Sequence, residues 1–83
     1  MSKHSHKFVE EYNGLVGFGY DRETNINTLI YYLQKFSDDR HVKLIIPRMS
    51  DEDIEDIFNS IGKYLKKYLK EEEYHKEFLK DEA

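Results

Sequence analysis

The chain has 83 residues, with 13 Lys or Arg against 17 Asp or Glu, a formal charge of −4 and an isoelectric point near 5.5. So short a chain has material for one core and not two, and its acidic balance excludes a generally basic coat for nucleic acid. Leu, Ile, Val and Phe number 22, above the low-hydrophobicity range in which charged chains stay unfolded.

The apolar runs at 15–19 and 44–46 fall far short of the roughly 20 residues needed to cross a bilayer, so no membrane association is expected. Positive charge near the N-terminus gives way to Glu10 and Glu11 where a secretory leader would turn apolar, which points to a cytoplasmic protein. The absence of cysteine excludes disulfides, thiolate zinc sites, iron–sulfur clusters and thiol nucleophiles.

In chain order, residues 1–6 read as a polar, disordered tail and 7–83 as a single helical domain. Residues 7–20 admit two readings. Phe8, Val9 and Tyr12 share a face of a short helix, with Gly14 placed for a left-handed cap. Alternatively, Asn13-Gly14 suits a two-residue hairpin turn. Pairing across that turn leaves neither strand face cleanly apolar, which favours the helix. Ile26, Leu29, Ile30, Leu33 and Phe36 then follow helical spacing over 22–36, behind a cap at Asp21 or Thr24.

Ser37, Asp38 or Asp39 caps a further short helix that ends before Pro47, although Val42, Leu44 and Ile46 alternate as in a strand. Either form predicts burial of Leu44, Ile45 and Ile46. From Ser50 onward Ile54, Ile57, Phe58, Ile61, Tyr64, Leu65 and Tyr68 hold helical spacing and are the expected backbone of the core. Acidic first turns and lysines near Lys70 suit the helix dipole. Tyr74 and Phe78 fall out of phase with that stripe, predicting a break near 70–72 and a terminal helix over 71–80. The fold class is thus mainly α, a small bundle of three to five helices, with a short β element within 7–20 or 41–46 as the alternative.

Catalytic chemistry finds little support. No serine sits in a nucleophile turn, and the glycines at 14, 17 and 19 lack the spacing of a dinucleotide or phosphate loop. Asp38 with His41 and Glu72 with His75 have the carboxylate-x-x-His spacing that places two metal ligands on one helix face. Further ligand-bearing positions are missing, so a metal-binding dimer is the third reading and no cofactor is expected. Lys63, Lys66, Lys67 and Lys70 form a stripe beside Tyr64 and Tyr68 that could track phosphates, countered by Glu71, Glu72 and Glu73. A nucleic-acid-associated regulator is therefore the second reading.

Seven tyrosines and five phenylalanines are a heavy aromatic load for so small a core. Tyr31 and Tyr32, off the stripe of their helix, and Tyr74 and Phe78, out of phase with theirs, are the candidate interaction residues. The first reading is a small acidic protein that binds another protein or its own copy, as a regulator, inhibitor or adaptor, without catalysis.

Overall fold

The computed structural model describes residues 5–81, and over that span the protein is all-α, with five helices and no strand. Helix α1 is Lys7–Glu11, α2 is Arg22–Phe36 and α3 is Asp39–Ile45, which passes into a 3₁₀ turn at Ile46–Arg48. Helix α4 is Asp51–Tyr68, and α5, Glu71–Glu73, continues as a π-helical turn over Tyr74–Leu79. The fold divides into two compact units, the first ending at Arg48 and the second beginning at Met49.

Both ambiguous segments are helical. In α1, Phe8 and Tyr12 stand four residues apart and stack at 5.2 Å between ring centroids, a side-chain pairing that helical spacing permits and a strand would not. Gly14 does not act as a left-handed cap, since Gly19 is the one glycine with positive φ among the described residues. Instead the Tyr12 ring folds across Gly14 and its hydroxyl donates to the Leu15 carbonyl at 2.7 Å. A Cβ at Gly14 would meet that ring at 2.6–2.8 Å.

Helix α2 is gripped on its polar side. Thr28, only 4% exposed, accepts from the Gly17 amide at 3.0 Å and donates to the Gly17 carbonyl at 2.8 Å through the same hydroxyl. Asn25 Oδ1 accepts from the Gly19 amide at 2.8 Å, and Gln34 Oε1 accepts from the Val9 amide at 2.9 Å. Residues 15–20 form neither helix nor strand, so their backbone groups have no ladder of their own and need side-chain partners. Asn25 and Thr28 supply them. Val9, an early residue of α1 with no intrahelical acceptor for its amide, is satisfied in the same way.

This corrects the expected packing. Ile26, Leu29 and Leu33, part of the stripe assigned to the core, are exposed while Ile30 and Phe36 are half-buried, because the connector is fastened through Asn25 and Thr28 and leaves much of the stripe open. Leu44 is also exposed, while Ile45 and Ile46 are half-buried, since two turns of α3 meet α2 along one side only.

At the start of α2, Asp21 accepts from the Thr24 amide at 2.7 Å. That bond, joined by one from the Thr24 hydroxyl, holds the Asp21 carboxyl below its ordinary value of 3.8. A carboxyl depressed on folding stabilises above its unfolded pKa, and the contribution fades as pH falls through the lower folded value. Helix α2 should therefore lose stability in acid below pH 3.8. Asp21→Asn, which keeps the cap but cannot titrate, should flatten that acid limb in circular dichroism melts against pH.

At the α2–α3 junction, Asp38 caps α3 by accepting from the Arg40 amide at 3.3 Å. The same carboxylate accepts from the amide and hydroxyl of Ser5 at 2.7 and 2.9 Å, and Ser5 Oγ accepts from the Asp39 amide at 3.1 Å. His6 Nε2 and Ser37 Oγ are hydrogen-bonded at 2.9 Å. Residues 5 and 6 of the expected tail thus lie against this junction, and residues 1–4 fall outside those described.

In the second unit, Ser50 Oγ accepts from the Asp53 amide at 3.1 Å and starts α4. The helix ends where Leu69 and Lys70 turn extended, with ψ of 140° and 161°. The Lys70 amide then donates to Glu73 Oε1 at 2.8 Å and opens α5. Tyr74 and Phe78 stack at 5.6 Å along the π turn, which closes at Lys80 with a φ of 59°. A break resolves the phase conflict seen in the sequence: aromatics on the wrong side of a continued α4 belong to a separate turn.

Candidate functional site

On α4 the residues segregate into an apolar side and a charged side, and the apolar side is largely uncovered. Ile54, Phe58, Ile61, Tyr64 and Tyr68 are exposed, Phe58 by 75%, while Ile57, Leu65 and Leu69 are half-buried. The expectation that this stripe builds the core is corrected by these exposures. The second unit offers only α5 and its π turn beyond Leu69, too short a partner for eighteen helical residues. Tyr74 approaches the end of the stripe, lining a shallow hollow with Gly62, Leu65 and Leu69.

The first unit has its own uncovered apolar side. Phe18 and Tyr20 of the connector and Ile26 and Leu29 of α2 line an open hollow, with Leu33 exposed one turn further along α2. Isolated exposed apolar residues are ordinary, whereas contiguous rows are features of binding surfaces. These residues were assigned to packing in the sequence reading. The signal that could have found them is the Asn25 and Thr28 pair, whose acceptors suit a connector with unpaired amides.

The four aromatics picked from sequence occupy different settings. Tyr31 is half-buried, 5.9 Å from the Tyr12 ring, with Lys35 Nζ over its face at 5.1 Å. Tyr32 is 62% exposed and lines an open hollow with Phe36, Arg40, His41 and Leu44. Tyr74 is half-buried, and Phe78, stacked on it, is exposed. Tyr31 and Tyr32 belong to the first unit, Tyr74 and Phe78 to the second.

The lysine stripe lies on the exposed charged side of α4 and its end. Lys63 Nζ stands 5.6 Å from the Tyr64 ring centroid and Lys67 Nζ 5.4 Å from that of Tyr68. Each ammonium covers its own neighbour's ring, which occupies the face a base would need for stacking. Lys66 and Lys70 are exposed beside them.

The two carboxylate–histidine pairs differ in setting: Asp38 and His41 line one open hollow, whereas His75 turns to residues other than Glu72. Asp38 caps α3, whereas His41 donates through Nδ1 to the Phe36 carbonyl at 2.8 Å and meets the Phe36 ring edge-on. His75 engages Asp81 at 3.1 Å and Glu71 at 4.0 Å, not Glu72. Among the described residues no group of three or more His, Asp or Glu side chains converges as metal ligands. No helix among them is long and apolar enough to cross a membrane.

Comparison of the chain with protein-family models, with curated proteins and with solved structures gives no match. The functional reading accordingly rests on the chemistry of these surfaces.

Proposed function

We propose that the protein works in the cytoplasm by binding another protein or its own copy through an apolar helix face, without catalysis. The observation that carries this reading is the α4 stripe, a row of Ile, Phe and Tyr left open along one side of a well-capped helix. Burial of such a row contributes roughly 25 cal/mol per Å² of apolar surface, and aromatic anchors dominate the energetics of protein interfaces. Its acidic first turns and basic last turns give a partner a directional field to align with.

The nucleic-acid reading draws on Lys63, Lys66, Lys67 and Lys70, but two of these sit over tyrosine rings and the chain as a whole is acidic. Affinity capture on the immobilised full chain separates the two readings. Under protein binding, partners survive nuclease and are lost with Ile61→Lys in the middle of the stripe. Partners that vanish with nuclease, and persist with Ile61→Lys, would reverse the order of the readings.

A further inference from the structure

We infer that the occupant of the α4 stripe is the α4 helix of a second copy of this chain, packed antiparallel about a two-fold axis near Ile61 and Gly62. The inference rests on the protein-binding reading above and names the partner.

The first argument is the arrangement of charge. Asp51, Glu52, Asp53, Glu55 and Asp56 fill the first half of α4, and Lys63, Lys66 and Lys67, with Lys70 just beyond, fill the end. None of these side chains makes an ion pair among the described residues. At 100° per residue, Asp53 and Lys67 flank one edge of the apolar stripe and Glu55 and Lys66 the other, while Glu52, Asp56 and Lys63 face away and Lys70 lies beyond the helix end. A perpendicular two-fold axis keeps each edge beside the same edge of its partner. Glu55 then falls nearly level with Lys66 of the second copy on one edge, and Asp53 comes within one turn of Lys67 on the other. A parallel pair would instead set acid against acid and lysine against lysine along the whole length. Antiparallel helix dipoles act in the same direction.

The second argument is the pattern within the stripe. Ile54, Phe58, Ile61, Leu65 and Tyr68 alternate steps of four and three, the seam of a left-handed helix pair. The same axis sets Phe58 against Leu65, so the bulkiest exposed side chain meets an aliphatic one. Gly62, beside the midpoint, has open space where a Cβ would stand, and leaves room for the two helices to approach. Glu55 with Lys66 and Phe58 with Leu65 centre within one residue of each other, so the charge pattern and the apolar pattern agree on the axis.

The test uses the full chain. Sedimentation equilibrium should show a monomer–dimer equilibrium that weakens as salt rises. Phe58→Lys should raise the dimer dissociation constant roughly a hundredfold, because each dimer loses two central aromatic anchors. With no native cysteine, a nitroxide placed by Glu52→Cys reports orientation. Two labels should stand about 35 Å apart in the antiparallel pair, against about 20 Å in a parallel one.

A short label distance, or a dimer indifferent to Phe58→Lys, would overturn the antiparallel α4 pair while leaving protein binding in place. A wild-type monomer at every concentration whose stability is unchanged by Phe58→Lys also ends self-pairing, and leaves the stripe to a different protein. A monomer destabilised by Phe58→Lys means that the chain covers its own stripe, and both the pair and the binding reading at α4 fall.

Discussion

Thr28→Val should destabilise the first unit by about 2 kcal/mol in urea denaturation, although it conserves volume at one of the two most buried described positions. The mechanism is the loss of one hydroxyl that serves two backbone groups. Its oxygen accepts from the Gly17 amide and its proton goes to the Gly17 carbonyl. Valine fills the same space but leaves both groups without a partner beside an apolar side chain, at a cost of about 1–3 kcal/mol for a buried unsatisfied group. Gly17 is half-buried, so water offsets part of that cost and the lower half of the range is expected. Thr28→Ser, which retains the hydroxyl, should recover most of the loss. A Thr28→Val protein as stable as the parent would mean that the connector is not held to α2 by this clasp.

Gly19→Val should cost a similar amount by a different route. Gly19 has a φ of 98° and nothing within 4 Å of the place a Cβ would occupy, so the obstacle is backbone conformation and not crowding. A β-branched residue at positive φ stores about 1–3 kcal/mol of strain. To escape it, the chain must rotate the peptide that donates to Asn25 Oδ1. The measurement is again a denaturation midpoint, with Gly19→Asn as the comparison: asparagine tolerates left-handed geometry better and should fall between parent and valine. Equal stability for valine and glycine would show that the φ at this turn is not imposed by its surroundings.

The helices were legible in the sequence where apolar periodicity and caps agreed. Arg22–Phe36 follows its five apolar positions and the Asp21 cap, and α4 begins at the serine whose hydroxyl takes the Asp53 amide. The break after α4 was legible because Tyr74 and Phe78 cannot share a side with Ile54 and Ile61 on one continuous helix. What periodicity could not show is which side of α2 is enclosed. It identifies the apolar side, and the usual inference places that side inwards. Here residues 15–20 bring unpaired amides that an apolar face cannot satisfy, so the connector is fastened at Asn25 and Thr28. That requirement belongs to the connector and leaves no mark on the spacing within α2. The α4 stripe was visible as a stripe but assigned to a core that α5, three residues and a single π turn, cannot complete.

The grip on α2 also bears on how this sequence can change. Asn25, Thr28 and Gln34 take hold of main-chain atoms of Gly19, Gly17 and Val9 and of none of their neighbours' side chains. Fidelity of attachment is therefore vested in three polar letters of the helix and the two glycines, while Leu15, Val16 and Phe18, all solvent-facing, stay at liberty to vary. Those three positions could be rewritten for a new binding task without unfastening the helix beneath them.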